Sequence, residues 1–108
     1  MKGSGPLLAA AALAALLTGC ASFEAMRLYD RGTRALDRGD SQHAVEDLER
    51  AAALAPDASP IQNHLGLAYQ EAGRPEDALQ AFERAVALDC GNEAAAENLR
   101  AMRARQGQ

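Results

Sequence analysis

Residues 59–92 read SPIQNHLGLAYQEAGRPEDALQAFERAVALDCGN, a stretch that predicts two amphipathic helices joined by a tight turn. Ser59 can cap the first helix, with Pro60 at its first position and Gln62 three residues after the cap. Gly73 can adopt the left-handed conformation that ends a helix. A second proline follows two residues later, where it can start the next helix.

Apolar side chains recur at helical spacing in both predicted helices. They are Ile61, Leu65, Ala68, Tyr69 and Ala72 in the first helix and Ala78, Phe82, Ala85, Val86 and Leu88 in the second. Two such helices cannot bury their apolar faces without help, so the chain is expected to contain a neighbouring copy.

The same pattern occurs 34 residues earlier in the chain. The shift pairs identical or similar residues: Gly32 with Gly66, Gly39 with Gly73, Ala44 with Ala78, Leu48 with Phe82, and Ala51 with Ala85. A helix–turn–helix unit with this period resembles the tetratricopeptide repeat.

The resemblance implies an all-α fold, with repeats at residues 25–58 and 59–92 forming a short α-solenoid. Family positions are matched by Gly32, Ala44, Leu48, Ala51 and Pro56 in the first repeat, and by Leu65, Gly66, Tyr69, Ala78, Phe82 and Ala85 in the second. The sequence departs from the family at four positions. Arg31 stands where Leu is usual, Ala35 and Gln62 where an aromatic residue is usual, and Cys90 where Pro is usual.

Residues 93–105 predict a fifth helix. Asn92 can cap it, and Leu99 occupies the register of Leu65 one repeat earlier. An apolar side with a polar back is what the last helix of a solenoid needs, so we expect a capping helix followed by a frayed tail at residues 106–108.

Residues 1–19 have a different composition. Lys2 precedes an apolar run over 7–17, whose 11 residues are too few to span a bilayer and are typical of a secretory signal peptide. The junction Leu17-Thr18-Gly19-Cys20 resembles the lipobox of bacterial lipoproteins. This implies cleavage before Cys20, a diacylglyceryl group on its sulfur and an acyl group on the new amino terminus. The alternative is an ordinary signal peptide that happens to precede a cysteine.

Two or three acyl chains would anchor the protein stably where one would not. By the same resemblance, Ala21 after the cysteine, in place of Asp, implies an outer-membrane location facing the periplasm. Residues 20–24 leave only a short linker before the first helix, which is predicted over 23–38. The second helix is predicted over 41–54, with Asp40 as its cap.

Composition and spacing argue against several functions. The net charge is −4, or −5 without residues 1–19, which argues against a basic patch for nucleic acid or anionic head groups. His43 and His64 lack partners at metal-ligand spacing, so no metal site is predicted. No nucleophile–base arrangement or phosphate loop stands out. We therefore expect no catalytic residue, no enzymatic activity and no cofactor beyond the lipid at Cys20.

Cys90 has three interpretations. If Cys20 is lipidated, Cys90 has no intramolecular partner in an oxidising compartment. It is a small residue tolerated at a turn, the site of an intermolecular disulfide, or a redox residue without a CxxC motif.

Tetratricopeptide repeat proteins generally bind peptides in a groove lined by the first helix of each repeat. The resemblance implies groove positions at Tyr29, Thr33, Asn63, Leu67, Gln70 and Glu71; alternatively, some of these only pack or contact solvent. Tyr29 and Thr33 stand where clamps for acidic carboxyl termini have Lys and Asn. We therefore expect a mixed apolar and hydrogen-bonding groove for an extended or helical segment.

These expectations combine into a lipid-anchored adaptor that binds a protein partner in a bacterial envelope assembly, such as a pilus, secretion or cell-wall complex. The alternative is a self-associating structural envelope protein, cross-linked through Cys90. Two repeats and a cap fall short of the three units usually needed for a stable solenoid, so either kind of association would help to complete the core.

Overall fold

The computed structural model describes the backbone of residues 5–107 and the side chains of residues 19–107. This part of the chain forms α1 (Gly5–Asp37), α2 (Ser41–Leu54), α3 (Ser59–Glu71), α4 (Pro75–Leu88) and α5 (Glu93–Gln106). Helices α1 and α2 pack as one pair and α3 and α4 as the next, while α5 packs against α4. The predicted all-α fold, two helix–turn–helix repeats with a C-terminal capping helix, is confirmed.

The first helix is longer than the sequence predicted. It begins at Gly5 rather than near residue 23, so residues 20–24, predicted as a linker, are helical. The alanine and leucine of residues 7–17 have high helix propensity, which explains the extension. The signal peptide assigned to residues 1–19 lies almost wholly outside the described side chains and stays a prediction. Within the described residues, no helix combines the length and hydropathy needed to cross a membrane.

Glycine ends the first helix of each repeat. Gly39 and Gly73 have φ values of 78° and 74°, the left-handed conformation predicted from the sequence. In the first repeat the Asp40 N–H donates to the carbonyl oxygen of Ala35 at 2.9 Å, and the second repeat has the equivalent bond. The Asp40 side chain then accepts from the His43 N–H at 3.4 Å and caps α2 as predicted.

The start of α3 differs from the prediction. Ala58 is the cap residue, and no side chain caps the helix. The Ser59 hydroxyl instead donates to the carbonyl oxygen of Ala85 at 2.7 Å and accepts from Asn92 Nδ2 at 2.9 Å. Gln62 is buried rather than part of a capping box. Ser59 therefore connects the start of its own repeat to the end of α4 and the start of α5.

A continuous core runs through both repeats. Phe82 and Leu48, at equivalent positions of α4 and α2, are the largest fully buried side chains. The other repeat-defining residues that are buried are Gly32, Ala44, Ala51, Leu65, Gly66, Tyr69, Ala78 and Ala85. Pro56, Gly39 and Gly73 lie exposed in turns. Ala72 and Leu88 were expected on the apolar faces but are exposed, as is Met26 of α1.

The two helices of each repeat approach closely at a glycine. A Cβ atom added to Gly66 would lie 2.5 Å from Cε1 of Phe82, and one added to Gly32 would lie 2.8 Å from Cγ of Leu48. Such contacts are well inside van der Waals distance, and both neighbouring side chains are fully buried. These two positions therefore require the absence of a side chain.

We expect Gly66→Ala to destabilise the protein by about 1–2 kcal/mol, because overpacking outweighs the helix propensity that alanine adds. Urea unfolding followed by circular dichroism measures the change. Phe82→Leu in the same chain gives the added methyl group room, so the double variant should lose less than the sum of the two single changes. An unchanged unfolding midpoint for Gly66→Ala would contradict this packing.

Candidate functional site

The first helices of successive units lie side by side, with α1 next to α3 and α3 next to α5. Leu65 and Tyr69 of α3 point into the core. The helical period places Asn63, Leu67 and Gln70 on the opposite side of the same helix. We call the shared surface of α1, α3 and α5 that bears the six predicted groove positions the groove face.

Tyr29 connects α1 to α3 across the groove face. Its hydroxyl lies 3.1 Å from Nδ1 of His64, and the two rings meet edge to face with centroids 5.2 Å apart. The same nitrogen is 3.0 Å from the Pro60 carbonyl oxygen, so with Nδ1 protonated the imidazole donates to both oxygens. Burial raises the pKa of the Tyr29 hydroxyl above its usual value.

Two further contacts connect α3 to α5. Asn98 Nδ2 donates to Asn63 Oδ1 at 2.9 Å. At the other end of the helices, with the Gln70 amide oriented so that its oxygen faces Arg105, that oxygen accepts from Nη1 and Nη2 at 2.6 and 3.1 Å. Amide orientation is set by such partners. Asn63 and Gln70 thus join neighbouring helices as well as facing the groove.

These three contacts follow one rule. Each joins residues 35 apart, one more than the repeat period, so a residue bonds to the position just after its own equivalent in the next repeat. His64, Asn98 and Arg105 were not among the predicted groove positions. A pair of polar residues 35 positions apart is the sequence signal that could have identified these three residues.

The six predicted groove positions differ in exposure. Asn63 is buried, so its side chain is less available to a ligand than the sequence suggested. Tyr29, Thr33, Leu67 and Gln70 are half-buried and Glu71 is exposed. The Thr33 hydroxyl donates to the Asp30 carbonyl oxygen at 3.0 Å within its own helix. These positions remain predictions as ligand contacts.

Acidic side chains surround the groove face. Asp37, Glu71 and Glu97 are exposed. Asp37 and Glu71 occupy equivalent positions of α1 and α3, and Glu97 occupies on α5 the position equivalent to Asn63. Between the acids lie the half-buried side chains of Leu36 and Leu67, both packed on the core. The face therefore combines an apolar centre with a negative rim.

The described surface depressions, of about 340–450 Å³, lie elsewhere: beside α1, between α1 and α2, near the α2–α3 side of the first repeat, and at the start of α5. Among the described residues, no group of three or more His, Cys, Asp and Glu side chains could hold a metal ion. Cys90 lies exposed just after α4.

Arg31, which departs from the family pattern, has a structural partner. Its Nε and Nη2 donate to the two carboxylate oxygens of Asp47 at 2.6 and 2.5 Å, joining α1 to α2. The hydrogen bond from Arg31 holds the pKa of the Asp47 carboxyl below its usual value, against the opposing effect of burial. A bidentate ion pair replaces the apolar contact that leucine would make.

Five helices in this order, with a 34-residue repeat and first helices stacked along one face, define an α-solenoid of helix–turn–helix repeats. The family model described as Tetratricopeptide repeat matches residues 29–98, and the chain belongs to this family. Proteins of the family are generally non-catalytic scaffolds for protein interactions.

Among solved structures, the chain is similar to the one described as "Second TPR of Spaghetti (RPAP3) bound to HSP90 peptide SRMEEVD". The TM-score is 0.76 and the identity 22%, over 80% of this chain and 80% of that one. At this identity the likeness concerns the fold. The comparison with curated proteins finds no match.

The Arg31–Asp47 pair makes stability depend on pH. Because the folded-state pKa of Asp47 is below its unfolded value, the pair stabilises fully above about pH 4 and is lost as the pH falls below that. Urea unfolding at a series of pH values should show a shallower acid loss for Asp47→Asn than for the unchanged protein. Asp57→Asn, in an exposed turn, is the matched control. Equal acid slopes for all three proteins would contradict the assignment.

Proposed function

We propose that this protein is a membrane-anchored tetratricopeptide repeat lipoprotein that acts as a non-catalytic adaptor in a bacterial envelope assembly, such as a pilus, secretion or cell-wall complex. The observation that supports binding is the groove face, whose apolar centre at Leu36 and Leu67 is partly exposed within an acidic rim. Membership in a family of interaction scaffolds supports the same function.

The charges of the groove face favour one kind of partner. Asp37, Glu71 and Glu97 are exposed, whereas the basic Arg105 is already bonded to Gln70. A segment with apolar side chains flanked by Lys or Arg would complement this surface. The similar solved structure holds a peptide that ends in acidic residues, and Tyr29 and Thr33 stand where a clamp for such a peptide would need Lys and Asn. The proposed partner segment is therefore basic.

Lipid attachment at Cys20 would restrict the adaptor to one membrane surface. The proposed surface is the periplasmic face of the outer membrane. Cys20 is exposed on α1. Confinement raises the effective concentration of the groove face near membrane-bound partners, which compensates for the modest affinity of a small surface.

Binding at the groove face can be tested by photo-crosslinking in cells. A photoreactive residue at Glu71 should capture a recurrent envelope protein, and the same residue at Arg84, exposed on α4, should not. Asp37→Lys should lower the yield at position 71 several-fold, because it reverses one rim charge. Equal capture from both positions would rule out the groove face.

Adducts formed only with other copies of the chain would favour the self-associating alternative. Light scattering with and without reductant then distinguishes a Cys90 disulfide from stacking. A mass that falls on reduction, and stays low in Cys90→Ser, would identify the cross-link.

Lipidation has its own test. Intact mass spectrometry should find a chain that begins at Cys20 and bears a diacylglyceryl group and one acyl group. Cys20→Ser should retain residues 1–19 and no lipid, whereas Cys90→Ser should be processed normally. An unmodified amino terminus at Met1 in the unchanged protein would overturn the anchor without affecting the groove.

A further inference from the structure

Four arginines recur at intervals of 4, 3 and 4 residues: Arg27, Arg31 and Arg34 in α1, and Arg38 directly after its end. At 3.6 residues per turn they fall within a sector of about 60° on one side of the helix. All four are exposed, and together with Glu24 and Asp30 they line a single surface depression of about 340 Å³. The Arg38 N–H still donates to the Arg34 carbonyl oxygen, so the last arginine continues the helical register. We call this set the arginine stripe.

The proposed lipid attachment site lies in the same sector. Cys20 precedes Arg38 by five helical turns, so both residues lie at the same angle around the helix axis, near the middle of the 60° sector. Phe23 borders the sector and is 69% exposed, the largest exposure among the large apolar side chains of the described residues. One side of α1 thus presents a cysteine, an exposed aromatic ring and four guanidinium groups in succession.

Three of the arginines are available to a ligand. Arg31 is engaged by the buried Asp47. Arg27 and Arg34 make only exposed pairs, with Glu24 at 3.3 Å and with Asp30 at 3.0 Å. Exposed pairs of this type contribute little and exchange readily. Arg38 is exposed just beyond the end of the helix.

We infer that the arginine stripe rests on anionic phospholipid head groups, with α1 lying along the membrane surface; this inference rests on the proposed anchor at Cys20. Guanidinium groups bind phosphate oxygens in a bidentate manner. Cys20 and Arg38 lie about 27 Å apart along the helix axis, which suits a helix held flat at one end by acyl chains. Phe23 would enter the head-group boundary beside the anchor.

This placement also orients the groove face. By the helical period, Tyr29 and Leu36 lie on the side of α1 opposite the arginine stripe. A stripe facing the bilayer therefore turns the groove face toward the aqueous compartment. Glu24 and Asp30 lie beside the stripe and pair with Arg27 and Arg34, so anionic head groups would compete with these two exposed pairs. Asp37, Glu71 and Glu97 do not line the depression of the stripe.

The test uses the full chain, expressed in bacteria and reconstituted in two kinds of vesicle. One kind is rich in phosphatidylglycerol and the other is pure phosphatidylcholine. Flotation reports attachment, and modification by phenylglyoxal, quantified for each arginine by mass spectrometry, reports contact. Arg84 and Arg100, exposed on α4 and α5, are reference sites within the same molecule.

We expect flotation with both vesicles. Modification of Arg27, Arg34 and Arg38 should slow about fivefold on phosphatidylglycerol only, which corresponds to the usual attraction of one basic residue to an anionic surface. Modification of Arg84 and Arg100 should be equal on both. High salt should restore reactivity at the stripe.

The other outcomes separate the two proposals. Flotation with both vesicles, but equal modification of the stripe arginines on both, would overturn the contact with head groups and leave the lipid anchor intact. The arginine stripe would then be a solvated surface at the end of the solenoid. Flotation with phosphatidylglycerol alone, with protection, would support the stripe and overturn the lipid anchor. Failure to float with either would overturn both.

Discussion

The closeness of the two helices within each repeat is the constraint on which the structure depends. At Gly32 and Gly66 the first helix has no side chain, and Leu48 and Phe82 of the second helix fill the space. Small residues alone would leave this interface hollow, and a larger residue at either glycine would separate the helices. The close packing of the two helices of each repeat follows from this approach.

Neighbouring units pack through α2 on α3 and α4 on α5, within the continuous core, and their first helices add polar contacts. Between first helices the described side chains meet through hydrogen bonds, as in Asn63 with Asn98, while the apolar contacts concentrate between first and second helices. Hydrogen bonds have stricter geometry than apolar contacts, so they add directional constraints to the register that the apolar packing of α2 on α3 already favours. The same residues lie beside the groove face, and its shape is therefore coupled to the stacking.

Short-range sequence patterns predicted much of this fold, namely the helices, their caps and the turns. They did not predict the contacts between residues that are distant in the sequence. Gly73, Asp40 and Asn92 act where the sequence placed them, because turns and caps depend on a few neighbouring residues. Ser59 satisfied the local rule for a cap but bonds instead to residues 26 and 33 positions away. The arginine stripe is visible in the sequence, but the overall negative charge concealed it until the faces of α1 were known.

The 35-residue spacing of the polar contacts has a consequence for adding a further repeat to the solenoid. A second copy of residues 59–92 inserted after the first would contain its own Ser59, Ala85 and Asn92, so its closing bonds would form within the copy. At the new boundary Asn63 would meet a histidine, and the copied asparagine would meet Asn98 as before. Every polar position would keep a partner of suitable chemistry. A tandem duplication of this gene segment would thus yield a longer solenoid without compensating substitutions, and a groove extended by one unit.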